Sequence, residues 1–208
     1  MKNIIYIFLV SLFLISCSNI KHNFYLYYYE AISNINDSTL YSHFPDEKDT
    51  KIRDIVSVTF PCVNGDTGLE IDILHKRSKK KVNEFINELE GKNLLKYSIK
   101  DTCTNYYFKY HSETYYETIS KYGECMRNNA PVPHYIYWLS PGNTVFDYDD
   151  IKDDLIYYII EVRSGKFMPD SLLNEQSRPL YDYAYNGCSR GYAVSKNAGL
   201  IVYWLIIW

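Results

Sequence analysis

The spacing of apolar residues predicts helices in the first half of the chain. Apolar residues from Phe24 to Ile35 recur at helical spacing, and a shorter helical turn follows from Thr39 to Phe44. Ser78 to Glu90 gives the clearest helical pattern, because its apolar residues form one stripe along the helix. Gly91 follows directly, where glycine commonly ends a helix in the left-handed conformation. One or two helices with an apolar face are therefore expected to pack on another layer.

Alternating apolar and polar residues predict strands between and after these helices. Ile52 to Phe60 and Leu69 to Leu74 alternate with the period of two that a half-buried strand requires. In the second strand the isoleucines point to one face, and Glu70 and Asp72 point to the other. Leu155 to Arg163 is apolar on both sides, which predicts a central buried strand. Shorter strands are predicted at Leu95–Ile99, Asn105–His111 and Tyr135–Leu139.

The C-terminus predicts a β-hairpin. Gly191 to Ser195 leads into the turn Lys196 to Gly199, where asparagine and glycine tolerate positive φ. Leu200 to Trp208 is a run of nine apolar residues without a charge, so both faces of this last strand should be buried in the middle of a sheet. The predicted fold class is α+β: a mostly antiparallel sheet with one or two packed helices.

The first 16 residues have the pattern of a signal peptide. Lys2 is followed by about 12 apolar residues, fewer than the roughly 20 that a membrane-spanning helix needs. The run ends in Leu14-Ile15-Ser16-Cys17, which resembles the lipobox of bacterial lipoproteins. The resemblance implies cleavage before Cys17, acylation of its thiol and a lasting membrane attachment. The alternative is an ordinary cleaved signal with a chance cysteine.

The lipobox also implies a location in the cell envelope. Residues 17–23 are then the lipidated cysteine and a tether, and residues 24–208 form a single globular domain. Ser18 stands where lipoproteins retained at the inner membrane have aspartate, which favours the outer membrane and leaves the leaflet open. Three further segments resemble uncharacterised small lipoproteins from Bacteroidetes, a resemblance that carries no catalytic residue: Tyr41–Pro45, Gly191–Ser195 and Ile201–Trp208.

The charge of the chain argues against nucleic acid as a partner. The net charge is −3, and it becomes −4 when Lys2 is removed with the signal peptide. The one basic cluster, residues 75–81, lies at the start of a predicted helix and is interpreted as a solvated turn.

Tyrosine is over-represented, with 23 in the chain. Strands favour tyrosine, so it can simply fill a sheet. It also supplies rigid amphipathic contact area in binding surfaces. The second interpretation makes Tyr135, Tyr137 and Trp138 candidates for binding a glycan, a peptide or a protein partner.

The cysteines predict disulfides. Lipidation of Cys17 leaves Cys62, Cys103, Cys125 and Cys188, an even number in an oxidising compartment. Three pairings into two disulfides are open. We prefer Cys62–Cys103, with Cys125 and Cys188 either paired or free. No CxxC motif exists, so neither a thioredoxin-type redox site nor a zinc knuckle is supported.

No catalytic motif is found, and no cofactor is predicted. GxSxG, HExxH, the P-loop and GxGxxG are all absent. Asp147, Asp149 and Asp150 form a weak metal candidate, but the loop lacks the glycine and glutamate of a Ca²⁺-binding loop and is interpreted as an acidic turn. A hydrolase could draw on Cys103 or Cys125 with His111 or His134, or on pairs of carboxylates.

Three functions remain open for the predicted lipoprotein. The first is a non-enzymatic module that binds a glycan, a peptide or a protein, supported by the anchor, the tyrosine content and the missing catalytic motifs. The second is an unrecognised hydrolase acting on cell-envelope or dietary polymer. The third is a structural or immunity-type lipoprotein without a small ligand. The sequence favours the first and leaves enzymatic activity undecided.

Overall fold

The computed structural model describes residues 28–46, 55–59, 68–101, 103–104, 106–107, 129–133, 151, 153–173 and 186–208. Helix α1 includes residues 28–33, and helix α2 is Lys79–Glu90. The strands are β1 Ile55–Thr59, β2 Leu69–Lys76, β3 Leu95–Ser98, β4 Tyr106–Tyr107, β5 Val132–Pro133, β6 Ile156–Ser164, β7 Gly187–Ser195 and β8 Leu200–Ile207. Two short 3₁₀ turns lie at Ser38–Tyr41 and Asp170–Leu172.

Six of these strands form one antiparallel sheet in the order β1-β2-β8-β7-β6-β3. The last strand of the chain, β8, therefore lies between β2 and β7, and it is paired along its whole length on both sides. β4 and β5 form a separate parallel pair. The predicted α+β class, the mostly antiparallel sheet and the C-terminal hairpin with a buried last strand are confirmed.

Both helices cover the same side of the sheet, which we call the helix face. Ala31 of α1 packs with Leu205 and Ile207 of β8 and with the odd-numbered apolar residues of β2. Val82 and Leu89 of α2 pack with Tyr158, Tyr192, Val194 and Ile201. The helix stripe read from the sequence is thus the surface that α2 buries, as expected for an amphipathic helix on a sheet.

Irregular segments cover part of the other side, which we call the loop face. Its core includes Trp204 and Trp208 together with Val132 and Leu155. Side-chain hydroxyl groups fasten residues 130–133 here: Tyr157 donates to the Pro133 carbonyl at 3.1 Å and Ser189 to the Pro131 carbonyl at 2.6 Å. The even-numbered residues of β8 are buried by this layer, which is why β8 has no polar side.

The structure corrects three details of the sequence prediction. β6 is one strand in from the β3 edge and is not central. Gly91 has a right-handed conformation at φ −66°, and Asn93 at φ 51° is the left-handed residue after α2. Glu70 and Asp72 lie on the loop face as predicted, but they are fully buried there. None of the helices in the described ranges has the length and apolar character that a bilayer crossing needs.

Close contact between β6 and β7 requires a glycine at position 191. A Cβ atom built there would overlap the backbone oxygen of Tyr158, and it would lie 3.0 Å from the Trp204 ring. β6 carries a bulge between Ile159 and Glu161 opposite this position. Bulges bend a strand and redirect its side chains. After the bulge, Glu161 and Arg163 share the helix face with Cys188 and Arg190, where the arginines bond residues 37–40.

Candidate functional site

A chain of aromatic rings crosses the helix face where the two sets of packed residues meet. We call it the aromatic seam. It joins side chains from α1, the loop after the first 3₁₀ turn, α2 and strands β2, β7 and β8: Tyr28, Tyr29, His43, Phe44, His75, Phe85, Tyr192 and Tyr203.

The rings of the seam pack mainly edge to face. The Tyr192 ring is the centre, with centroid distances of 5.6 Å to His43, 5.2 Å to Phe85 and 5.5 Å to Tyr203, at interplanar angles of 79°, 87° and 77°. Edge-to-face contacts place the positive edge of one ring on the negative face of the next. The seam is therefore a corrugated apolar surface with few flat ring faces.

The seam is partly open to solvent. Tyr29 keeps 43% of its surface exposed, and Tyr28, His43, Phe44, Phe85 and Tyr203 are half-buried. Tyr192 and His75 are buried beneath them. Aromatic rings grouped at the surface are typical of protein–protein interfaces, where tyrosine and phenylalanine are enriched. The rest of the aromatic core is closed, because Tyr157, Tyr158, Trp204 and Trp208 are buried.

Arginine contacts hold the 37–44 segment in place at one side of the seam. Arg190 donates through Nη1 to the carbonyl oxygen atoms of Thr39 at 2.6 Å and Leu40 at 3.3 Å. Its Nε bonds Glu161 at 2.9 Å, and Arg163 bonds Asp37 at 2.7 Å. Hydrogen bonds from Thr39 and the Arg163 guanidinium lower the pKa of Asp37 to about 2. The segment has little regular structure of its own, so these contacts determine where it lies.

His43 anchors the same segment from the seam. Its Nε2 lies 3.0 Å from the carbonyl oxygen of Trp204 in strand β8. The centroid of its ring lies 4.6 Å from the centroid of the Phe44 ring. Burial lowers the pKa of His43 to about 4, so the imidazole is neutral at pH 7. A neutral ring that donates from Nε2 serves here as a positioning group for the loop.

Two buried carboxylates form the second candidate, on the loop face. Glu70 and Asp72 keep 2% and 0% of their surface exposed, and they pair across β2–β8 with Ile206 and Trp204. Carboxylates are almost never fully buried unless they have partners or a functional role. Sequence alternation placed both on one face. It gave no sign that this face would be covered.

Several predicted site residues lie outside the described residues. They are Cys17, Cys62, Cys125, Tyr135, Tyr137, Trp138, Asp147, Asp149 and Asp150, with His111 and His134 of the hydrolase hypothesis. Within the ranges that are described, no three His, Cys, Asp or Glu side chains are grouped to hold a metal ion.

The two described cysteines differ. Cys103 is disulfide-bonded, and its partner lies outside the described residues. Cys188 is a buried free thiol. The sequence left it either paired with Cys125 or free, and the structure has it free. Burial raises its pKa to about 11, which makes the thiolate scarce at neutral pH. The preferred pairing Cys62–Cys103 stays a prediction.

No protein family model, no curated protein and no solved structure matches this chain.

Sequence reasoning missed the seam because its members come from six separate segments. Each ring occupies an ordinary apolar position of its own element: Phe85 in the helix stripe, Tyr192 and Tyr203 in strands. The high tyrosine count was the one signal in the sequence, and it did not indicate which tyrosines stay near the surface.

Proposed function

We propose that the protein is a lipid-anchored, non-enzymatic module of the cell envelope that binds a protein partner through the aromatic seam. One observation carries the binding part of the proposal: a continuous set of aromatic rings remains partly open to solvent on the helix face, with Tyr29 at 43% exposure. The lipobox at Cys17 supports the anchor.

The packing of the rings favours a protein segment over a glycan. Sugars stack on flat, open ring faces, whereas Tyr192 has the His43 and Phe85 rings packed at 79° and 87° to it. Edge-to-face packing leaves grooves between rings, and apolar side chains fit such grooves. A partner segment with apolar side chains matches these grooves.

Photo-crosslinking in the cell envelope tests the seam. A photoreactive phenylalanine analogue is placed at Tyr29, and a matched control carries it at Leu95, an apolar residue that is 54% exposed on the β3 edge. We expect one discrete protein adduct from position 29 and none from position 95. Tyr29→Ala should weaken binding of the identified partner about tenfold or more, as for an aromatic hot spot, and Leu95→Ala should not.

The opposite results would overturn the proposed partner. Equal adducts from both positions would mean a non-specific surface. If the protein binds envelope glycans and Tyr29→Ala abolishes that binding, the partner of the seam is a sugar and not a protein. Intact-mass spectrometry of the membrane-extracted protein tests the anchor separately. The mass should include acyl chains on Cys17, and Cys17→Ser should remove them.

Hydrolysis of an envelope or dietary polymer is the second candidate, and the buried carboxylates favour it. Glu70 and Asp72 share the covered loop face, and two carboxylates on one face can serve as general acid and general base. If this candidate is correct, the protein releases soluble fragments from envelope glycans, and Glu70→Gln stops the release without changing the crosslink at position 29.

A further inference from the structure

Six cationic residues meet at one end of the molecule, which we call the basic end: Lys76, Arg77, Lys79, Lys80, Lys81 and Lys196. Five come from the end of β2 and the start of α2, and Lys196 comes from the β7–β8 turn. The two segments are in contact, because the backbone N–H of Arg77 donates to the Gly199 carbonyl at 2.7 Å. Folding therefore adds a distant lysine to the cluster seen in the sequence.

Three lysines of the basic end are not neutralised by the described acids around them. Lys79, Lys81 and Lys196 are exposed and make no ion pair with any described residue. Lys80 lies 3.9 Å from Glu84, with 86% of its side chain exposed, a pair worth little in water. The other nearby carboxylate, Asp154, accepts hydrogen bonds from Ser195 and Asn197. A chain of net charge −3 thus presents a locally positive surface.

The position of the lysines is unfavourable for α2 itself. The first turn of the helix contains Lys79, Lys80 and Lys81 and no acidic residue. The N-terminal end of a helix dipole is positive and favours anions, so each lysine there opposes the helix. Acidic residues would suit this turn better, and a Glu at position 81 would complete a capping box with Ser78. An anionic partner for the lysines gives a physical reason for this arrangement.

We propose that the basic end rests on the anionic headgroups of the membrane to which the protein is anchored. This inference rests on the proposed anchor at Cys17. The stretch from Cys17 to Tyr28 can reach at most roughly 35–40 Å, against a radius of gyration of about 16 Å for a domain of this size. The anchor therefore lets the basic end reach the surface. Each lysine near an anionic membrane contributes about fivefold in affinity, equivalent to about 1 kcal/mol.

Lysine labelling on vesicles tests the proposal with the lipidated protein. The protein is inserted into vesicles of phosphatidylcholine alone or of equal parts phosphatidylcholine and phosphatidylglycerol, and a water-soluble acylating reagent is added. Mass spectrometry then gives the labelling rate of each lysine. In the anionic vesicles, Lys79, Lys80, Lys81 and Lys196 should be labelled about fivefold more slowly, and high salt should restore the rate. Lys92 and Lys166, both exposed, are the internal controls and should not change.

A charge-reversed variant separates docking from folding. Lys79→Glu with Lys81→Glu should leave Lys80 and Lys196 unprotected on anionic vesicles. The variant should be at least as stable as the wild type, because both changes suit the helix start. Lys92→Glu with Lys166→Glu carries the same charge change elsewhere and should keep the protection.

Three results would overturn the inference. They are equal labelling in both vesicles, protection that extends to Lys92 and Lys166, and protection by soluble dextran sulfate but not by anionic vesicles. Failure of the anchor is distinguishable, because an unlipidated protein would not remain with vesicles of phosphatidylcholine alone, to which the basic end has no attraction.

Discussion

Single polar residues in apolar surroundings carry much of the local specificity of this structure. His43, Glu70 and Asp72 all occupy positions that the sequence pattern assigned to a turn or to the polar side of a strand. Each is shielded by elements far away in the chain. His43 is fixed by its hydrogen bond to the Trp204 carbonyl at 3.0 Å. The histidine is buried in its neutral form, which makes stability depend on pH.

His43 predicts a loss of stability in mildly acidic solution. Its pKa in the folded protein is about 4, below the ordinary value of 6.5. The unfolded chain therefore takes up a proton first as pH falls, so the stability contribution is complete above about pH 6.5 and decreases toward pH 4. The loss should be about 3 kcal/mol at pH 4, measured by urea unfolding between pH 7.5 and pH 4.

His43→Gln is the control for this prediction. Glutamine keeps an N–H donor for the Trp204 carbonyl and does not titrate, so the slope between pH 6.5 and pH 5 should flatten. Asp37, with a pKa of about 2, loses its contribution only as pH falls below its ordinary value of 3.8 and so does not interfere in this window. An unchanged slope in the glutamine variant would contradict the role of His43.

Elements differ in how they are held. α2 has an apolar stripe and a side-chain cap, since the hydroxyl of Ser78 accepts from the backbone N–H of Lys81 at 3.4 Å. The 37–44 segment is held by the buried side chain of Leu40, by the hydrogen bond of His43, and by arginine contacts from β6 and β7. These contacts also fix one side of the aromatic seam, because His43 and Phe44 belong to the segment.

Arg190→Met should release this segment. The side chain of Arg190 is 13% exposed and bonds Glu161 and two carbonyl groups, so its removal takes away one donor from each of these acceptors. We expect a loss of about 3 kcal/mol. Hydrogen exchange should become faster in residues 37–44 and stay unchanged in α2.

Arg190→Lys is the matched variant. It keeps the charge but loses the planar fork that reaches Glu161 and the carbonyl groups together, so it should recover only part of the stability. If Arg190→Met exchanged at the wild-type rate in residues 37–44, the segment would be held by its other contacts without Arg190.

The whole molecule depends on its last strand. β8 joins β1 and β2 on one side to β7, β6 and β3 on the other. Its pairs with β2, such as Asp72 with Trp204, connect residues far apart in the chain. Pairings of such long sequence separation make folding slow and prevent the sheet from forming until the C-terminus is present.

A chain that ends after Gly199 should therefore fail to fold. Without β8, the apolar residues of β2 and β7 lose the strand that lies between them, and both core layers open. Near-ultraviolet circular dichroism should lose the aromatic signal, and binding of a hydrophobic dye should rise. Leu95→Ala, a change at an exposed residue on the β3 edge, should keep the wild-type spectrum. A cooperative unfolding transition in the shortened chain would contradict this dependence.

Much of the fold follows from local pattern. The sequence located β2, α2, β6 and the hairpin within a few residues of their observed bounds, because a strand or helix reveals its period in neighbouring side chains. The uncharged run of β8 also predicted its central place, because only a strand covered on both faces has no need of polar residues. The turn residue Gly199 has φ 65°, a left-handed conformation that glycine adopts easily, so this position was also predictable from its own residue type.

The candidate sites were decided by tertiary structure alone. Periodicity tells which side chains share a face, but it does not tell what covers that face. Glu70 and Asp72 are fully buried on the loop face, whereas Tyr29 keeps 43% of its surface exposed on the helix face. Lys196 joins the basic end only because β8 returns its turn to β2. Local patterns in the chain thus specify the helices and strands and the alternation of buried and exposed positions along each one. Contacts between residues more than a hundred positions apart decided the seam, the buried carboxylates and the basic end.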